Sequence, residues 1–309
     1  MNVRKKIIGA IALIAMVVGV GKSLLGQAYN WRKLRYEVYG GFGATNFMGD
    51  AGTPINKGLQ TIFWVNPSAI RPVIQLGGRM ALDPRQKVRV NLAVGMLYND
   101  DRYGGMPDRF LHFRSPIVEL GGIYEFYIIK EQQKRNRYRW LNLPKRPKRN
   151  HIPTYLFAGV AGIYFNPQAY TRGEWHNLRP LSTAGQGLPG YKDPYSLVSV
   201  AFPFGIGWKV KVAKYQSINF EAGWRLTLTD YIDDISADPF PPTQLLLDNR
   251  GEIAAILSYR YGGLVNEYTY YLGGGVRGGS WIDQYQFFTI SYCAILKTDR
   301  KGRPKLEFY

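Results

Sequence analysis

Apolar and polar positions alternate along most of the chain with a period of two, the mark of strands with unlike faces. Val88, Val90, Leu92, Val94, Met96 and Tyr98 share one face of a segment whose other face carries Arg89, Asn91, Ala93, Gly95 and Leu97. Further on, Ile218, Phe220, Ala222, Trp224, Leu226 and Leu228 oppose Asn219, Glu221, Gly223, Arg225, Thr227 and Thr229. The pattern predicts eight strands, near 35–44, 71–82, 87–98, 114–130, 153–166, 197–211, 216–230 and 283–296. Strands of about 9–11 residues suffice to cross a bilayer, and eight is an allowed number for a closed bacterial barrel. No segment beyond the N-terminus reaches the run of about 18 apolar residues that a membrane helix needs. In a soluble sandwich the apolar face would turn inward. In a membrane barrel it turns to lipid, and small or polar residues fill the lumen.

The connections favour the barrel. Those after the first, third, fifth and seventh strands are long (45–70, 99–113, 167–196 and 231–282), and those after the second and sixth are a few residues, Asp83–Gln86 and Val212–Tyr215. Outer-membrane barrels have long outer loops and short periplasmic turns. The connection 131–152 is the exception, periplasmic by this topology yet long. The predicted fold is therefore all-β: an eight-stranded antiparallel transmembrane β-barrel with long extracellular loops and one long basic periplasmic connection. Tyr98, Trp208 and Tyr231 fall near strand ends, where interfacial aromatic girdles sit. Within 231–282, Ile253–Tyr259 is predicted as a short extra hairpin or helix.

The N-terminus reads as an export signal. Arg4, Lys5 and Lys6 precede an apolar run from Ile7 to Val20, and Gly26-Gln27-Ala28 supplies a small-residue cleavage site. Residues 1–28 would be removed, leaving 29–309 as the barrel; the competing reading is a signal anchor. Gly21-Lys22-Ser23 ends like a phosphate-binding loop, but position 16 is Met16 where that motif needs Gly. Cleavage removes four basic residues and lowers the net charge from +18 to +14.

Charge is distributed unevenly. Segments assigned to the periplasm (29–34, 83–87, 130–150, 211–216 and the tail 297–309) together carry +16, and the rest of the mature chain −2. A barrel that binds the phosphates of outer-leaflet lipopolysaccharide would be basic at the outer rim instead, and nucleic acid is excluded by export. The surplus is greatest in the 131–152 connection, where Lys134, Arg135, Arg137, Arg139, Trp140, Lys145, Arg146, Lys148 and Arg149 are the predicted partner-binding residues. A loop kept for solubility needs no Trp, whereas interfaces favour aromatic anchors among Arg. Alternation also places Glu37, Glu119, Glu125 and Glu221 in the lumen with Arg79, Arg89, Lys209 and Arg225. Four acids against four bases predict a salt-bridged plug, because unpaired burial is costly.

Composition adds exclusions. Aromatics are 15% of the chain, with 23 Tyr and 35 Gly, which suits strands and tight turns. One Cys, Cys293, excludes a disulfide framework. The histidines His112, His151 and His176 form no metal or triad spacing. Asp230, Asp233, Asp234 and Asp238 cluster after the seventh strand without the spacing of a calcium loop, which favours polar loop packing over metal binding. No catalytic, cofactor-binding or metal-binding residue is assigned.

Several segments together carry a resemblance: Gly40–Asp50, Phe113–Gly121, Tyr155–Pro167, Pro203–Gly207, the string Thr227-Leu228-Thr229-Asp230-Tyr231-Ile232-Asp233-Asp234-Ile235-Ser236, and Asp283–Tyr285. From about Tyr36 to Leu296 the chain resembles the PorG-type outer-membrane barrels of the type IX secretion system. The resemblance implies an integral outer-membrane protein associated with the machine's periplasmic ring, itself formed by a lipoprotein and a soluble partner. It implies no catalytic motif and no cofactor. The expected function is a non-enzymatic anchor or accessory part of that machine. The alternatives are a lipid- or peptide-modifying barrel enzyme and a plain structural or adhesive barrel.

Overall fold

Alternation of side chains on a strand separates two environments only if neighbouring strands keep step, and here they do almost all the way round. The computed structural model describes residues 35–53, 64–104, 106–131, 152–213, 215–260, 266–279, 282–299 and 303–308. The predicted signal segment and the basic stretch from 132 to 151 therefore lie outside the described residues.

In chain order the strands are β1 (Tyr36–Met48), β2 (Arg71–Ala81), β3 (Gln86–Asp100), β4 (His112–Ile129), β5 (Thr154–Phe165), β6 (Gln168–Thr171), β7 (Glu174–Asn177), β8 (Val198–Lys211), β9 (Gln216–Thr227), β10 (Pro239–Phe240), β11 (Gly274–Val276), β12 (Gln284–Thr298) and β13 (Pro304–Phe308). Eight of them, β1–β5, β8, β9 and β12, form an antiparallel ring in which each pairs with its neighbours in that order. The ring closes where β12 pairs with β1, from Glu37 opposite Ile295 to Met48 opposite Gln284. Most pairings join residues of like parity, so odd-numbered side chains point inward and even-numbered ones outward. The phase slips once, between Tyr127 and Ile129, where Ile128 and Ile129 are both exposed. The β5–β8 register skips the positions around Pro203, whose nitrogen has no hydrogen to donate.

The outer wall is apolar. Phe42 is 67% exposed, Ile74 64%, Val90 60%, Leu120 57% and Val160 55%, all on outward positions of different strands. Water would penalise a belt of this extent, whereas lipid suits it. The fold is thus a transmembrane β-barrel.

The lumen departs from the expectation of small and polar filling. Its lower half, at the end with the short turns, is charged. Its upper half is an apolar core: Phe47, Val73, Ala93, Leu97, Phe113, Ile117, Ile163, Phe165, Tyr285 and Phe287 pack with Ile232 and Ile235 from the connection beyond β9. Long outer connections can cover the mouth only by burying apolar side chains of their own, and this core is where they do so. Tyr231 belongs to it as well, stacked on Tyr195 with centroids 4.6 Å apart, and not to a lipid-facing girdle. Tyr98 and Trp208 do sit on the outer wall.

The described parts of the long connections carry secondary structure of their own. The third holds the β6–β7 hairpin and a short helix α1 (Leu178–Leu181). The fourth holds β10 paired with β11 and two helices, α2 (Thr243–Arg250) and α3 (Glu252–Ser258). Helix α3 occupies the segment predicted as hairpin or helix. The helices pack in small cores of their own, one joining Leu188, Leu246, Ala254 and Ala255, another Ala169, Leu178 and Leu257. The predicted basic tail is a hairpin in part, because β13 folds back to pair with the end of β12.

Candidate functional site

The lower lumen is one ion-pair network. Arg79 on β2 reaches Glu37 on β1 at 3.1 Å and Glu125 on β4 at 2.9 Å, with Glu221 on β9 at 3.7 Å. Arg89 on β3 forks onto Glu221 through two bonds and lies 3.3 Å from Glu125. Lys209 on β8 donates to both oxygens of Glu37, at 2.8 and 2.9 Å. Higher up, Arg225 pairs with Glu119 at 3.2 Å, and Tyr285 donates to the same carboxylate at 2.8 Å. All eight residues named from alternation lie buried in the lumen, and every one has an opposite charge as partner.

Two members escaped sequence reading. Lys87 donates to Glu37 at 3.0 Å and to Glu131 at 3.2 Å, and Glu131 also pairs with Lys209. Lys87 has the parity of Arg89, which was the available signal, but it stood at the edge of a predicted turn. Glu131 stood in a connection, where alternation says nothing. With both included, the network joins five acids and five bases among the described residues. An eight-stranded barrel has an interior only wide enough for side chains, so this network and the apolar core above it fill the bore.

The mouth has a second polar system, drawn from all four long connections. Arg109 is 1% exposed; it donates to both oxygens of Asp101, at 2.7 and 2.8 Å, and to the backbone oxygens of Asp50 and Arg277. Arg277 donates to the backbone oxygen and carboxylate of Asp234 at 2.7 and 3.1 Å. The string from Thr227 to Ser236 is the knot of this cap. Ile232 and Ile235 plug the apolar core, Asp233 between them ties backbone amides, and Asp234 ties side chains. Asp233 accepts from Ala51 and Ile235 at 2.9 and 3.0 Å, and Asp283 accepts from Ile232 at 2.8 Å. Asp234 takes a left-handed backbone, φ 64°, and accepts from Gln186 and Tyr195 at 3.0 and 2.7 Å as well as from Thr183. Asp238 binds Lys192, Tyr231 and Ser236. The aspartates thus diverge to separate partners, and no group of three or more metal-ligand side chains gathers among the described residues.

Electrostatically the mouth is short of cations. Burial, with the Asp50 carboxylate alongside, pushes the Asp233 carboxyl up to about 7, against the opposing pull of the Ala51 and Ile235 amides and Arg109. Asp283 is shifted upward too, by burial and then by Asp233 and Asp230, and its Oδ1 has no hydrogen-bond partner among the described residues. Glycines permit the close approach: Gly52 has φ +62° and a Cβ there would meet Asn99 and Asp100.

Of the other residues singled out, Cys293 is buried in the lumen with Arg79 3.9 Å from its sulfur. His112 accepts from the Tyr170 amide at 3.0 Å and faces Arg260 at 3.2 Å. The proposed partner residues Lys134, Arg135, Arg137, Arg139, Trp140, Lys145, Arg146, Lys148 and Arg149 fall outside the described residues.

No family model and no curated protein sequence matches the chain. Among solved structures it is similar to Neisserial surface protein A (NspA), at 5% identity and TM-score 0.37, over 84% of this chain and 96% of that one. It is also similar to Ail, the attachment invasion locus protein of Yersinia pestis, solved with the heparin analogue sucrose octasulfate, at 7% identity and TM-score 0.33, over 84% of this chain and 97% of that one.

Proposed function

We propose that the chain is a non-enzymatic, integral outer-membrane protein that anchors a protein-secretion machine of the type IX kind, with its basic periplasmic end against the machine's ring. The observation that supports this most is the pairing of a filled bore with a one-sided charge. A barrel whose lumen is closed at two levels passes nothing through itself, so its work lies at its ends. The end with the short turns carries the basic surplus, which suits an acidic periplasmic surface steered by charge. No cofactor is assigned.

The test is co-purification from detergent extract. Reversing Arg137, Arg139, Arg146 and Arg149 to Glu leaves the wall of the barrel untouched. The reversed protein is expected to insert normally, to lose the ring components and to secrete poorly, and the four-fold Gln variant to fall between. The wild-type contact is expected to weaken with salt. A Glu variant that assembles and secretes like wild type sinks the proposal.

A second reading has its own support. The outer cap, with helices and small cores of its own, is more than a short barrel needs for closure. That favours a structural or adhesive barrel acting through its outer face, which capture of a surface ligand by the refolded barrel would distinguish.

A further inference from the structure

The outer end of β2, β3 and β4 holds an unusual row: Tyr98 and Arg114 stand on outward positions, and Arg71, at an inward-parity position where β2 begins, sends its guanidinium over the outward Tyr98. The Arg71 guanidinium lies over the Tyr98 ring, 3.9 Å from its centroid. Tyr98 stands directly opposite Arg114 in the β3–β4 register. The Arg114 guanidinium in turn lies over Trp175 of β7, 4.0 Å from its centroid, and Tyr170 packs on Trp175 at 5.5 Å. Cation and aromatic thus alternate across three strands and the adjoining hairpin, all half-exposed.

Both arginines are held in place while part of each fork stays uncommitted. Arg71 Nη1 donates to the Ser68 and Ile70 carbonyls at 3.0 and 2.7 Å. Arg114 Nε donates to Gln168 Oε1 at 2.8 Å. Neither arginine is ion-paired with a carboxylate among the described residues. The nearby Asp100 is taken up by Arg102, at 2.7 Å. Below the row the wall turns apolar at once: Ile74 opposes Val94 and Val94 opposes Val118, and these are 64%, 51% and 36% exposed. Along β3 the step from Tyr98 to Val94 is about 13 Å. Two ring-backed guanidiniums directly above an acyl-facing strip match one ligand shape, an anionic head on hydrocarbon chains. Guanidinium forks match phosphate as they match carboxylate, phosphate is the anionic group that membrane-lipid heads carry, and ring backing holds the forks in place. Summed over the outer side the charge is near zero, and that sum conceals this local pair.

We propose that Arg71, Tyr98, Arg114 and Trp175 form a binding site for the phosphate of a membrane lipid in the leaflet at the outer end of the barrel. The site rests on the transmembrane barrel alone and is independent of any secretion partner.

The test compares the wild-type barrel with the R71Q/R114Q variant in detergent by native mass spectrometry. The probes are phosphatidic acid, diacylglycerol and inorganic phosphate. Wild type is expected to hold phosphatidic acid about tenfold more tightly than the variant, both proteins to hold diacylglycerol equally weakly, and inorganic phosphate alone to leave the mass unchanged. Equal retention of phosphatidic acid by wild type and variant overturns the site, as does equal retention of diacylglycerol and phosphatidic acid by wild type. Inorganic phosphate bound as tightly as the lipid would assign the pair to soluble phosphate instead. If the double variant fails to insert, R114Q carries the same comparison, and wild-type retention by it overturns the site.

Discussion

Asp233 is a buried acid with too little positive charge around it. Its native carboxyl titrates at about 7, where an unfolded aspartate titrates at 3.8. The folded cap therefore binds a proton that the unfolded chain releases, across the window between those two values. Cap stability is greatest at the acid end of that window, falls as pH rises through it, and carries the full penalty above it. An Asp233→Asn change removes the charge and the titration, but its amide nitrogen cannot accept the N–H that one carboxylate oxygen holds. It is expected to flatten the pH dependence, so that the stability of the variant relative to wild type is greater at pH 8 than at pH 4 by on the order of 2 kcal/mol. Protection factors of the Ala51 and Ile235 amides at pH 8 and pH 4, which remove the intrinsic acceleration of exchange with pH, check this, and greater protection in wild type at pH 8 than at pH 4 would refute it. In the lumen the charges behave differently, because each has a partner. Glu37 alone serves Arg79, Lys87 and Lys209. Glu37→Met is expected to destabilise the refolded barrel by about 3–5 kcal/mol, since Arg79, Lys87 and Lys209 keep other acids but the network is left with one uncompensated buried positive charge. Urea unfolding followed by the heat-modifiable gel shift measures it. At this scale sequence was informative wherever alternation reached. It located Arg79 and Glu221 because a strand has two faces. It missed Arg109 and Arg277 because no periodicity governs a loop.

The elements divide in the same way. The eight barrel strands were legible to within a few residues, since one face of each meets lipid and the other the lumen. The cap was not. Helix α2 and the β6–β7 hairpin are short pieces stabilised by contacts with other connections, and such contacts leave no local pattern. The string ending in Ser236 shows why: read alone it is an acidic cluster, and only the fold reveals that Ile232 and Ile235 are its working residues. Their side chains are 0% and 2% exposed. Truncating both to Ala is expected to cost about 2–5 kcal/mol per site, paid by the cap and not by the wall. Limited proteolysis should then cut between 231 and 282 while the folded barrel band persists. A variant as resistant as wild type would mean that the cap does not depend on this plug.

For the whole molecule, the governing fact is closure at two levels. The ring of strands removes every sheet edge from the lipid, and the bore is filled by charge below and by hydrocarbon above. These layers answer different needs: ion pairs neutralise the charged lumen positions, and the apolar layer lets the long connections fold onto the barrel. Such a closed body is not an open pore. The most direct measurement is therefore the single-channel conductance of the purified, refolded barrel in a planar bilayer. A filled bore predicts no stable steps above the bare membrane at any holding potential. A large, reproducible open-channel current from the wild-type protein would contradict it.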